Sequence, residues 1–320
     1  MSTKKLSLQH VANPQMVTPS SKEENKNQSF PQVVDPRFII ITPARDEEKY
    51  IEKTIHSVIS QTITPLQWII VNDGSTDKTG EIIDSYAKDF DWISPVHRQN
   101  RGFRKNGSGV MEAFYDGYSK INFDFGYLVK LDSDLSFDND YFENCFKQFY
   151  EIPKLGIGGG VIYNVRNNRQ ILEKQPSFHV RGATKIYKRD CWKEIGGLIK
   201  YTGWDTLDEV KANMLGWKTG SFKSIKLVQH RTTGGADGIL KDFYKNGRAN
   251  YITGYHPIFM AASCVKRLTR TPFVIASMSM FAGYISGYIN RTPKVEDRVV
   301  VKYMRTQQMN KLLGRESIWN

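Results

Sequence analysis

From Arg37 to Leu131 the chain alternates short, nearly all-apolar runs with segments whose apolar residues fall at helical spacing, and this alternation constrains the fold most. "RFIIIT" and "LQWIIV" are too short for helices and rich in β-branched residues, so they read as buried strands, the first halted by Pro43. Between them Ile51, Ile55, Val58 and Ile59 mark one helix face; Ile82, Ile83 and Tyr86 mark another after the turn "NDGSTDKTG". "WISPVHR" and "YLVKL" supply a third and a fourth strand, separated by a Gly-containing loop and a helix around Met111 to Tyr118. Strands and helices in alternation predict an α/β fold with a parallel sheet, whose ligands bind at the carboxyl ends of the strands. The loops "PARDEE", "NDGS" and "DSD" therefore share one rim. Beyond Pro153 the pattern is mixed: "GIGGGVIY" and "GATKIYK" predict strands, Asp205 to Leu215 a helix, and the chain from Asp237 onward a helical region.

Two carboxylates, Asp132 and Asp134, flank Ser133 at the end of the fourth strand. Two residues apart in an extended segment, they point the same way, and carboxylates buried without positive charge are costly. A hard divalent cation, Mg²⁺ or Mn²⁺, answers both and keeps open positions for phosphate oxygens. Asp-x-Asp by itself is more often a solvated turn. Its company favours the nucleotide reading: Asp73 ends another strand, placed to accept from a base or ribose, and Arg45, Arg101, Arg104 and Lys105 can meet a diphosphate. Neither a dinucleotide fingerprint nor a Walker sequence can be read in "GFRKNGSG". "GIGGG" comes late and lacks an acidic partner for ribose, so it reads as close backbone packing, and a dehydrogenase is not supported.

A second acidic cluster lies in "TGWDTLDEVKANMLGWKTGSF". At about 100° per residue, Leu207, Val210 and Met214 form one stripe, with Asp205, Asp208, Glu209 and Ala212 on the other side. That side is either an ordinary wet acidic face or the wall of a cleft in which one carboxylate serves as general base. His230, in "KLVQHRTTGG", is either structural or the third ligand of a cation held by Asp134.

In this order, "IITPARDEEKYIEKTIHSV", "WIIVNDGSTDKT", "YLVKLDSDLSF", "RGATKIYKRDCWKEIGGL" and "GWDTLDEVKANMLGWKT" resemble a family 2 glycosyltransferase over about Arg37 to Gly235. The resemblance implies a GT-A fold and an inverting transfer of sugar from a nucleoside-diphosphate donor. It implies that Pro43, Ala44, Arg45, Glu47 and Asp73 hold the nucleoside, and that Arg104, Asp132 and Ser133 contribute to the donor site. Asp134 becomes the principal metal ligand, supported by Asp132, with His230 in the late motif that completes the site. The family's catalytic Asp stands eleven residues ahead of a Gly-aromatic dipeptide, so Gly216-Trp217 points to Asp205. Trp204 replaces the Glu that usually precedes this Asp, which leaves Asp208 as a rival base. The implied partners are a nucleotide-sugar donor and a glycan or lipid-linked acceptor. The alternatives are a nucleotidyltransferase, and a noncatalytic nucleotide-sugar-binding scaffold.

Lys and Arg outnumber Asp and Glu by 45 to 33, a balance that suits phosphorylated ligands or an anionic membrane surface. No zinc-finger spacing or RNA-binding aromatic signature is present, so nucleic acid is not an expected partner. Cys145, Cys191 and Cys264 are far apart and odd in number, which predicts reduced thiols in a cytoplasmic protein. Residues 1–35 read as a disordered polar tail without the apolar core of a signal peptide, 36–235 as the catalytic domain and 236–320 as a helical extension. Within the extension Thr271 to Asn290 carries no charge and is flanked by Lys266, Arg267, Arg270, Arg291 and Lys294. It reads equally as a helix lying on the inner, anionic face of the cell membrane or as a helix buried against the catalytic domain, with a membrane span less favoured.

Overall fold

The computed structural model describes residues 36–102, 108–166, 169–231, 238–269 and 273–320. β1 (Phe38–Ala44), β2 (Gln67–Asn72), β3 (Ile93–His97) and β4 (Tyr127–Leu131) are parallel neighbours in the order β3-β2-β1-β4. α1 (Ile51–Ile59), α2 (Thr79–Asp89) and α3 (Ser108–Tyr118) make the crossovers. The apolar runs have no polar side because the sheet is covered on both. Ile40 and Ile70 face α1 through Ile51, Ile55 and Val58, while Ile39, Ile41, Ile69 and Val71 face α3 through Met111 and Phe114. Pro43 does not halt β1: pairing with β4 ends at Ile41↔Lys130, and beyond it the strand continues beside β2 alone, with Pro43 opposite Val71.

The run of parallel neighbours breaks after β4, where β8 enters antiparallel and the chain ceases to insert a helix after every strand, although β6 and β9 further along pair in parallel. β5 (Leu135–Phe137), α4 (Tyr141–Glu151), β6 (Leu155–Arg166), β7 (Arg169–Leu172), β8 (Thr184–Lys188), α5 (Arg189–Ile195), α6 (Trp204–Met214) and β9 (Lys218–Gln229) follow. They extend the sheet as β4-β8-β6-β9-β5, with β8 antiparallel to both β4 and β6 and β7 hydrogen-bonded to β6. The glycines of "GIGGG" are packing positions, as expected: a Cβ on Gly158 would lie 2.5 Å from the Phe222 ring, and one on Gly159 2.3 Å from the Thr184 carbonyl. This mixed sheet with helices on both sides and a helical C-terminal region is the GT-A architecture.

The C-terminal helices are α7 (Ile239–Ile252), α8 (Pro257–Arg267), α9 (Phe273–Ile289) and α10 (Arg298–Leu312). Val300 and Met304 of α10 pack on Leu207 and Val210 of α6, so the helix that carries Asp205 is roofed by the end of the chain. α9 packs one side on α7 and α8 of the extension, not on the catalytic domain as one expectation had it. Ala276, Ser277, Met280 and Tyr284 are buried, whereas Val274, Ile275, Met278, Phe281, Ile285 and Ile289 face outward. No described helix is long and apolar enough to cross a membrane.

Candidate active site

The first rim loop follows β1. Asp46 there has φ 53°, a left-handed conformation that Asp tolerates because its side chain bonds locally. Here its carboxylate accepts from Thr76 N at 2.9 Å, and its own N–H reaches Ser75 Oγ at 3.0 Å, which ties the loop after β1 to the loop after β2. The tight turn leaves Pro43 and Ala44 at the strand end and turns Arg45 toward Asp73, whose carbonyl accepts from Nη1 at 2.6 Å. Asp73 is buried and gathers further cations. Arg101 grips its carboxylate with both terminal nitrogens, at 2.9 and 2.6 Å, and Arg98 bonds the same group. Glu47 is also buried, and Arg231 reaches it across the rim at 2.6 Å.

Asp132 and Asp134 lie in the turn between β4 and β5 and not in an extended segment, so their proximity comes from the turn. Asp132 is one-third exposed and accepts from Lys130, itself buried at the end of β4. Ser133 between them is buried. Asp134 is only 5% exposed and accepts from the Gln229 amide at 3.1 Å. Burial, and then the charge of Asp132, push the Asp134 carboxyl up to about 6 against the opposing pull of Gln229, Arg231 and Lys130. A buried carboxylate repelled by a second one is a donor pair that a hard cation suits. His230 is next to Asp134 on the neighbouring strand, its N–H donating to the Asp134 carbonyl at 2.9 Å, while its imidazole pairs with Ser136 Oγ at 2.8 Å. Among the described residues no three His, Cys, Asp or Glu side chains are gathered closely enough to hold a metal unaided.

The acidic side of α6 is not wet. Asp208, Glu209 and Ala212 are all buried, because a lysine inside the sheet waits for the two carboxylates. Lys185 of β8 donates to both Asp208 oxygens at 2.9 and 2.8 Å, lies 2.8 Å from Glu209 Oε1, and reaches the Asp205 carbonyl at 2.5 Å. Tyr187 donates to Asp208 at 2.6 Å, and the Val180 N–H and His179 close the Glu209 carboxylate at 2.7 and 2.8 Å. Asp208, the rival base, is thus enclosed in a structural network, and burial pushes its carboxyl up to about 6. Asp205 keeps an accessible edge at the helix N-terminus. Burial opposes its charge, but His179, Lys185, Arg181 and Lys130 outweigh that and hold its carboxyl below the ordinary range. Trp204, where a Glu would precede it, is buried with the ammoniums of Lys130 and Lys185 at 5.6 and 5.5 Å from its ring.

The fold therefore brings Pro43, Ala44, Arg45, Glu47, Asp73, Asp132, Ser133, Asp134 and His230 to one rim, while Asp205, on α6, feels the charge of Lys130 behind that rim. Arg104 and Lys105 lie outside the described residues. Sequence reasoning missed Lys130, Lys185, Arg98, Gln229 and Arg231, although a lysine interrupting the apolar runs "YLVKL" and "ATKIY" was a signal.

Comparison with known proteins agrees with this architecture. The model of "Glycosyl transferase family 2" matches residues 39–203. Glycosyltransferase GlyA of Streptococcus pneumoniae is 30% identical over 161 residues, 48% of this chain and 21% of that protein. A poly-beta-1,6-N-acetyl-D-glucosamine synthase of Staphylococcus epidermidis is 26% identical over 199 residues, 55% of this chain and 44% of the synthase. This chain thus spans less than half the length of either relative. The fold is similar to that of a mannosyltransferase, PcManGT from Pyrobaculum calidifontis, solved with GDP-Man and Mn²⁺, with a TM-score of 0.51, 14% identity and 88% of each chain covered. With half its length matched to the family's model on a fold and rim of this kind, the chain belongs to glycosyl transferase family 2.

Proposed function

We propose that this protein is an inverting glycosyltransferase that moves a sugar from a nucleoside-diphosphate donor to a hydroxyl of a glycan or lipid-linked acceptor, in polysaccharide or glycolipid synthesis. The observation that carries this reading is the link Lys130 makes between donor and acceptor sides: it bonds Asp132 in the acidic turn, and its charge bears on Asp205. Pro43, Ala44, Arg45, Glu47 and Asp73 hold the nucleoside, and the arginines around Asp73 meet its phosphates. Arg104 belongs to the same set on sequence grounds. Asp132, Ser133 and Asp134 hold the diphosphate with a divalent cation, Mg²⁺ or Mn²⁺, for which His230 is the third donor. When bound, the cation offsets charge building on the leaving diphosphate. Asp205 takes the proton of the acceptor hydroxyl as that oxygen bonds to the anomeric carbon. The bond from this carbon to the diphosphate oxygen breaks, its electron pair leaving with the phosphate, and a single displacement inverts the configuration. Its depressed proton affinity keeps Asp205 ionised at neutral pH, the state that can accept.

The naming of the Staphylococcus relative as a polymer synthase supports a polysaccharide product. Three buried cysteines without disulfides support a cytoplasmic site of action, and the outward apolar face of α9 supports a place at an anionic membrane surface there. The test is a screen of nucleotide sugars, with and without Mn²⁺ or Mg²⁺, for release of nucleoside diphosphate. Asp134→Ala is expected to abolish transfer; near wild-type turnover of that variant with metal present would refute the cation site. Release of pyrophosphate in place of nucleoside diphosphate would identify a nucleotidyltransferase.

A further inference from the structure

We propose that an open cavity beside α10 binds the phosphate headgroup of an anionic phospholipid, and that headgroup and apolar stripe together seat the enzyme on the bilayer. The inference rests on the membrane-surface reading above and deepens it. The cavity has a volume of about 750 Å³ and lies between α10, the 291–297 connection and His256. Lys294, Arg298, Lys302, Arg305 and Arg315 line it, and among the described lining residues there is no Asp or Glu. Arg298, Lys302 and Arg305 recur at helical spacing, so one face of α10 turns three cations toward the same space. Of the acids that adjoin lining residues in sequence, Glu296, Asp297 and Glu316, none lines the cavity, and Asp297 caps α10 through Val300 N at 3.1 Å and lies 3.5 Å from Lys211. Five like charges around one space repel each other, and a polyoxygenated anion is the ligand that relieves them.

The stripe stands beside this cavity. Ile275, Met278 and Ile289 are 61%, 66% and 75% exposed, and with Val274, Phe281, Ile285 and Tyr288 they form an unbroken apolar face on α9. At 1.5 Å per residue it is roughly 23 Å long. Contiguous apolar faces of this kind mark interaction surfaces. Lys294 joins stripe to cavity: the residue lines the cavity, and its ammonium lies 4.4 and 4.6 Å from the rings of Tyr251 and Tyr288. Phosphate-binding cations beside a hydrocarbon-seeking face match the boundary between headgroups and acyl chains.

Charge selects this occupant over a second copy of the chain. Residues 238–320 contain 13 Lys and Arg against 4 Asp and Glu, which is nine of the twelve excess positive charges of the protein. Two copies meeting at this cavity would bring Lys294, Arg298, Lys302, Arg305 and Arg315 of each together, whereas an anionic bilayer attracts them.

Flotation of the full-length protein tests this, using phosphatidylcholine vesicles with and without phosphatidylglycerol at low and high salt. The wild type is expected to float with the anionic vesicles and less so as salt rises. Arg298→Gln with Lys302→Gln is expected to weaken that partition roughly tenfold or more. Met278→Gln with Ile275→Gln should weaken it too, but without reducing its salt sensitivity. Urea unfolding of each variant confirms that it is folded. A wild type that floats with neither vesicle ends the membrane reading and this inference together. Flotation that the Arg298 and Lys302 pair leaves unchanged ends the headgroup site while the membrane reading stands. Calorimetric binding of inorganic phosphate without flotation would assign the cavity to a soluble ligand, and a concentration-dependent dimer without flotation would assign the stripe to a second copy; either overturns the proposal.

Discussion

Lys130 and Lys185 sit directly opposite one another on β4 and β8, and both are buried. Two neighbouring cations in a core are tolerable only because carboxylates reach them: Asp132 for the first, Asp208 and Glu209 for the second. Lys185 also holds the Asp205 carbonyl, so it positions the proposed base without touching substrate. Lys185→Met should therefore cost about 3–5 kcal/mol, the usual penalty for stranding a buried charge. The sign with pH follows from Asp208, whose folded-state carboxyl is already raised to about 6 and would rise further without its lysine. A carboxyl raised on folding destabilises increasingly as pH climbs from its unfolded to its folded value. The variant's deficit in urea unfolding should be greater at pH 8 than at pH 5, and an equal deficit would refute the account. The two acidic positions should also separate in kinetics. Asp205→Asn is expected to keep donor binding and lose acceptor-dependent turnover by ~10²-fold or more. Asp208→Asn should show its main loss in stability, and the reverse pattern would make Asp208 the base.

α7 and α9 meet backbone to backbone. A Cβ on Gly247 would lie 1.8 Å from the Met280 carbonyl oxygen, and one on Gly283 would lie 1.9 Å from that of Tyr244. Neither neighbour is a flexible tip, so a methyl group there must push the helices apart. Two effects oppose each other in Gly283→Ala. Helix propensity favours Ala by about 1 kcal/mol. Overpacking a close contact costs about 1–3 kcal/mol, and the backbone clash places this site at the upper end. Steric cost wins, and the melting temperature should fall; an unchanged or raised value would show that the two helices separate freely. The same close packing orients α9, because the side that meets α7 is fixed by glycines and the apolar side left over must face outward.

The C-terminal helices do more for the whole molecule than add charge. Gly203, in a left-handed conformation with φ 89° just before α6, packs so closely on Thr253 that a Cβ would lie 2.5 Å from its methyl group. Trp319 packs on Phe178, beside His179 of the buried network, at 4.9 Å between rings. The extension and the helix carrying Asp205 therefore form one packed body. Met304→Asp would bury an unpaired carboxylate against Leu207 and Val210. We expect it to reduce stability and also acceptor-dependent turnover, measured against donor binding in the surviving folded protein. Turnover unchanged per folded molecule would show that the extension does not help place α6.

The order of the first four strands, their helices and the three acidic loops were legible in the sequence, because apolar runs and helical spacing are local signals set by burial on both faces of a sheet. The loops of a parallel unit then share a rim by topology alone, which is why Asp73, Asp134 and Glu47 could be grouped from their positions. Partners were not legible. Arg231 meets Glu47 across 184 residues, and Gln229 meets Asp134 across 95. α6 displays an acidic side that a helical projection leaves open between a wet face and the wall of a cleft; the placement of Lys185 on β8 makes Asp208 and Glu209 dry. α9 is apolar around most of its circumference, so its sequence could not say which side packs, and the contact with Gly247 decided it. Periodicity fixes what a segment becomes, but charge pairing and helix orientation depend on groups the chain delivers from far away, and those only the tertiary structure decided.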